Sequence, residues 1–184
     1  SYVCEMSDCS EACPEGTTFV EGTFIGDLEN ICVPENFSTV NQSSLQAFYY
    51  FLSVTIDNNE MDSLDWVGAF NGDVCVGARQ WNTANCGNTE ICEVVAGGDG
   101  GTDYTEGYMS FGETPSFKIF DASEGIYYDA VASEEFPWAN MGFYMADNLQ
   151  NECTEEVDCA GECGGSAELD ECGVCGGDGI ADGA

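Results

Sequence analysis

Basic residues are almost absent from this chain. Arg79 and Lys118 stand against 35 acidic residues in 184, the formal net charge is −33, and there is no histidine. The missing cations argue against nucleic acid or an anionic membrane surface as partner, since both need Lys and Arg to neutralise negative charge. The missing imidazole removes the usual general base near neutral pH and the commonest zinc ligand. Without histidine no nucleophile–base pair can be assembled, and no Ser or Thr is read as having a lysine partner. Some pair of carboxylates suited to glycoside hydrolysis is inevitable among so many acids, and abundance marks no site. No apolar run reaches the roughly 18 residues that cross a membrane, so membrane insertion is not expected. The absences together lead to the expectation that the protein is not an enzyme.

What is present points outside the cell. Twelve cysteines in so acidic a chain imply disulfides and an oxidising, secreted or cell-surface setting. Hydrophobic residues make up 43% and aromatics 12%, ample for a packed core. Ser1 at the start, with no leader before it, is read as a processed product; the loop-like run 177–184 suggests that more chain follows. The acidic charge has two readings. It serves solubility in salty water, or some of its carboxylates hold Ca²⁺.

Composition divides the chain into a head (1–33) with four cysteines, a central zone (34–150) with three and most aromatics, and a Gly/Asp/Glu/Cys tail (151–184) with five. Each flank is short enough to need disulfides, a metal or a partner to fold. The central zone reads as strands. In 48–56 the even positions Phe48, Tyr50, Leu52, Val54 and Ile56 are large and apolar, with Ser53 and Thr55 on the other face, which predicts a strand burying its even face. Asn71-Gly72 between 65–70 and 73–78 predicts a hairpin with a type I′ turn. A second hairpin is predicted where 116–120 meets 126–131, and shorter strands at 91–96, 107–111 and 141–146. Seven or eight strands without a convincing helix predict an all-β fold, an antiparallel β-sandwich or jelly roll, flanked by disulfide-rich ends.

The tail carries an internal echo: Cys159-x3-Cys163-Gly164-Gly165 against Cys172-x2-Cys175-Gly176-Gly177, with Cys4-x4-Cys9-x3-Cys13 in the head resembling Cys153-x5-Cys159-x3-Cys163. The run Asp170-Glu171-Cys172-Gly173-Val174-Cys175-Gly176-Gly177-Asp178-Gly179 resembles the acidic cysteine–glycine repeats of large secreted bacterial surface proteins, and a similar string occurs in animal matrix proteases. Residues 65–77, with Phe117-Lys118-Ile119-Phe120-Asp121, are similar to a β-sandwich module of the same bacterial proteins. The resemblance implies a multi-module surface or adhesive protein and carries over no catalytic residue.

Cysteine parity sharpens the disulfide expectation. Cys86 and Cys92 are close enough in sequence to staple their loop, leaving Cys75 as the odd one, either a buried thiol or a bridge to a flank. Cys4, Cys9, Cys13 and Cys32 can close among themselves, whereas Cys153, Cys159, Cys163, Cys172 and Cys175 are odd in number; most are expected to be oxidised, with one bridge joining the sandwich to a flank or a partner lying beyond Ala184 or on another chain. A four-cysteine zinc site from Cys159, Cys163, Cys172 and Cys175 is the alternative. For Ca²⁺ the best candidate is the Gly-flexible loop carrying Asp99, Asp103 and Glu106, with Asp178 and Asp182 as a second cluster; neither has EF-hand spacing. Trp66, Trp81 and Trp138 are either core or a sugar-stacking platform. Lys118 suggests an ion pair or, as in some adhesins, an isopeptide bond. Asn36 and Asn41 head N-glycosylation sequons, and Ser63 lies in an O-glycosylation-like triplet. The apolar pairs Phe19-Val20 and Phe24-Ile25 need a cover, supplied by the chain's own sandwich or by a neighbour's sheet edge. The reading is an extracellular structural subunit that self-assembles head to tail into a fibre; the runner-up is a carbohydrate-binding adhesin module with glycans as partners.

Overall fold

The computed structural model describes residues 13–23, 29–87, 90–152, 158–159, 166–170 and 173–176. The head contributes a two-stranded antiparallel ribbon, β1 (Thr17–Thr23) with β2 (Glu29–Pro34). Eight further strands form one sheet: β3 (Gln46–Ile56), β4 (Asn59–Glu60), β5 (Trp66–Asn71), β6 (Val74–Gln80), β7 (Cys92–Gly97), β8 (Ser116–Asp121), β9 (Ile126–Ala132) and β10 (Phe143–Asn151). Short 3₁₀ turns stand at Glu35–Phe37, Thr83–Asn85 and Asp103–Thr105, and no α-helix occurs among the described residues. The all-β expectation holds.

The strand order is β4-β3-β10-β9-β8-β5-β6, with β7 also on β3. Every pairing is antiparallel except β3 with β10, so the sheet is mixed where antiparallel pairing was expected. The sheet curls until β6 lies against β7 without a ladder between them. The approach is so close that a Cβ on Gly77 would sit 1.7 Å from the Val95 carbonyl oxygen. Inside the curl lies the main core, with Tyr49, Phe51, Val67, Val94, Ile119 and Leu149 among its members. A second core covers the outer face of β5, β6 and β8, where Trp66, Phe70, Cys75, Ala78 and Phe120 are roofed by Val33, Phe37 and half-buried Val20 and Ile31. β5 is therefore buried on both faces. Gly68 is what lets Phe37 lie on it, for a Cβ there would meet that ring at 2.6 Å.

Three further expectations are corrected. The buried face of β3 starts on the odd residues Ala47, Tyr49 and Phe51, and passes to Val54 only after exposed Leu52. With large apolar groups on both faces, periodicity alone does not choose a phase, and the parallel partner makes the same change between Ala146 and Leu149. The β5–β6 hairpin forms, but Asn71 pairs with Val74, so Gly72 and Asp73 are the central residues. Only Gly72 has positive φ (58°), as a type II′ turn requires. The I′ pattern belongs to Asp57 (φ 48°) and Asn58 (φ 63°), between β3 and β4. Residues 107–111 form no strand, only a single parallel bridge from Met109 to Gly98.

Candidate functional site

Cys86 is bonded to Cys92, Cys13 to Cys32, and Cys159 to Cys175. The last bond removes two of the four thiolates that the zinc alternative needs. Cys75 is a free, buried thiol beneath the head, donating to the Gly77 carbonyl at 3.4 Å. Burial pushes its pKa up to about 12. Cys4, Cys9, Cys153, Cys163 and Cys172 lie outside the described residues.

In the loop read for calcium, Asp99 Oδ1 accepts from the Gly101 amide at 2.7 Å and from Thr105 Oγ1 at 3.5 Å. Asp103 and Glu106 are exposed, and among the described residues no three acidic or cysteine side chains converge as a metal site would require. Asp178 and Asp182 lie outside the described residues. All three tryptophans are buried, Trp66 in the second core and Trp81 and Trp138 in the first, so they form no platform for a sugar. The Trp138 indole donates to the Ala96 carbonyl at 3.0 Å, and a Cβ on Gly98 would strike its ring. Lys118 donates to Asp129, its cross-strand partner on β9, and lies over the Phe70 ring; it is an ordinary ion pair.

Asn36 and Ser63 are exposed. Asn41 is tied down: its side-chain nitrogen donates to the Tyr104 carbonyl at 3.2 Å and its amide to the Tyr108 hydroxyl at 2.7 Å. The serine of its sequon, Ser43, is buried and donates to the Gly98 carbonyl at 2.6 Å. In the head, Val20 packs on the chain's own second core while Phe19 is half-buried; Phe24 lies outside the described residues, as does Ile25.

Two surface features were not foreseen from the sequence. The first is the outer face of β3 and β10. Phe48 stacks on Phe143 with ring centroids 4.8 Å apart, and Leu52, Phe143 and Met145 are 49%, 64% and 55% exposed. The head roofs the outer face of β5, β6 and β8, but nothing among the described residues roofs this one. The second is a groove of about 630 Å³ over β6 and β7, ended by residues 40–43 and 82–85, with amide side chains at both ends and an apolar floor that includes Val76 and Val95. The phase of β3 hid the first. The Asn/Gln richness of 80–85 was a visible signal for the second, overshadowed by the tryptophan that sits within it, Trp81. No protein-family model, curated protein or solved structure matches this chain.

Proposed function

We propose that this chain is an extracellular structural subunit that assembles with copies of itself into a surface fibre. The observation that carries this reading is the bare aromatic and methionine strip of Phe48, Leu52, Phe143 and Met145 on the outer face of β3 and β10. A contiguous exposed apolar face on a chain of −33 marks a contact surface, because isolated apolar residues are ordinary but a strip is not. The opposite outer face is occupied by the chain's own head. The two outer faces are therefore unlike. A contact between unlike surfaces is heterologous and propagates as an open filament unless its rotation closes. The β1–β2 ribbon, a two-stranded sheet of its own, offers backbone edges for the neighbour. Self-repulsion between such acidic subunits is relieved by salt and by divalent cations such as Ca²⁺.

Electron microscopy and sedimentation of the disulfide-intact chain in calcium-containing salt solution test the proposal. Polymers are expected from the native chain, and folded monomers from Phe143→Ser/Met145→Ser. A native chain that stays monomeric at every concentration, or a double variant that polymerises equally well, overturns it.

A further inference from the structure

We infer that the groove over β6 and β7 is a binding site for a neutral oligosaccharide, next to the strip assigned to assembly, whose Phe48 is the cross-strand partner of the groove residue Val95. Its chemistry selects the ligand class. The only cation lining it is Arg79, and Arg79 already donates through Nη1 to Glu93 Oε1. The groove is thus locally neutral inside a molecule of charge −33, whose field repels phosphates, uronates and acidic peptides. What remains for recognition is amide chemistry. Gln42, Gln80, Asn82 and Asn85 line the groove, and none of their side chains hydrogen-bonds within the chain among the described residues. Gln46 Nε2 is spent on the Ser43 carbonyl at 2.8 Å, which leaves its carbonyl oxygen free to accept.

A carboxamide offers donors and acceptors side by side, as does a sugar hydroxyl, so carboxamides at both ends of the groove suit a polyhydroxylated ligand. The Arg79–Glu93 pair adds to this. The guanidinium keeps further N–H donors and the carboxylate a second oxygen, a spacing suited to neighbouring hydroxyls, with Tyr50 beside them as the cross-strand partner of Glu93.

The size and rigidity of the groove fit the same ligand. It follows β7, six residues or about 17 Å of strand at ~3.4 Å per step, and 630 Å³ lies within the range of ligand sites. Both ends are fixed before any ligand arrives. The Cys86–Cys92 disulfide ties the 82–85 turn to the start of β7. At the far end, Asn41 exchanges hydrogen bonds with the Tyr108 hydroxyl, and Ser43 Oγ holds the Gly98 carbonyl. A ligand therefore orders little on binding, which favours affinity.

The test titrates the disulfide-intact chain with neutral gluco-, manno- and galacto-oligosaccharides and with uronate oligosaccharides of equal length. Calorimetry gives affinity, and amide chemical shifts locate the site. Each titration is repeated on Phe143→Ser/Met145→Ser, so that assembly and sugar binding are read separately. At least one neutral series is expected to bind and to shift residues of β6 and β7, with uronates weaker at low salt. Gln80→Ala/Asn82→Ala/Asn85→Ala is expected to lose roughly tenfold or more in affinity, with near-ultraviolet circular dichroism unchanged. Gln42→Ala at the other end, a single change on an exposed side chain, is expected to weaken binding as well. Failure of every neutral series to bind, preference for uronates, or affinity unmoved by both variants overturns the inference.

Discussion

Asp65 is the one acidic side chain that the fold takes out of water, among the described residues. Its two carboxylate oxygens accept from the Asp62 amide at 2.7 Å and the Ala122 amide at 2.9 Å, and its own carbonyl accepts from Trp81 at 2.7 Å. One residue thereby joins the start of β5, the end of β6 and the β8–β9 turn. Removing the carboxylate in Asp65→Ala strands two backbone donors and is expected to cost about 2–3 kcal/mol by denaturant titration. Burial, with repulsion from the Asp121 and Asp62 carboxylates, raises its pKa although the two amides act to lower it. A folded pKa above the unfolded one means the native state binds the proton more readily. The group's contribution is then full below the unfolded pKa and lost as pH rises through the folded value. The native chain is expected to gain stability relative to Asp65→Asn as pH falls towards that range, a difference that cancels the other carboxylates. Cys75 obeys the same logic of burial. With so little thiolate at pH 8, its peptide is expected to stay unlabelled by a thiol reagent until denaturant is added; labelling of the native protein contradicts its burial. The sequence offered Cys75 as a buried thiol through odd parity. It held no hint of Asp65, since one carboxylate among 35 acids is singled out only by the backbone amides that the fold brings to it.

Among the elements, the head is held down through the turn that follows it, Glu35–Phe37, by shape more than by bonds. Phe37 is fully buried, lies over Gly68 and meets Tyr127 edge-on at 5.5 Å between centroids. Gly68 has no positive φ to explain it; space explains it. Phe37→Ala is expected to cost about 3–5 kcal/mol, and Gly68→Ala about 1–3 kcal/mol by pushing the ring away. Both are expected to open the 13–40 segment to proteolysis before the sandwich unfolds; loss of the whole fold at one protease concentration would show that head and sandwich are one cooperative unit. Legibility at this scale followed the strength of local signals. Residues 116–120 and 126–131 alternate around a turn in which Asp121 Oδ1 accepts from Ser123 and Glu124 and Gly125 takes φ 70°, so that hairpin was readable from neighbours alone. The phase of β3 was not. Phe48 through Leu52 is apolar at every position, and Ala146 and Val94, distant in sequence, decide which rings turn inward.

Over the whole molecule, negative charge is what internal contacts leave unbalanced. Only two ion pairs, Arg79–Glu93 and Lys118–Asp129, occur among the described residues. Added NaCl is expected to raise the melting temperature until the Debye length falls below the spacing of surface carboxylates, about 10 Å near 0.1 M. Diffuse screening predicts equal effects of Ca²⁺ and Mg²⁺ at matched ionic strength. A saturable rise with Ca²⁺ alone, abolished by a chelator, would instead mark a bound ion, and Asp99→Asn against Asp178→Asn/Asp182→Asn would say where. The parallel pairing of β3 with β10 has a further consequence, which concerns time. Phe48 faces Phe143 in register, so the first strand of the sheet is completed by the last one synthesised. Until β10 emerges, β3 carries an open edge and a run of exposed rings, the situation in which nascent chains stick to one another. A chain that must wait so long for its partner strand is kept apart from its siblings by like charge. The acidity that hinders contact between finished molecules then also guards the unfinished ones.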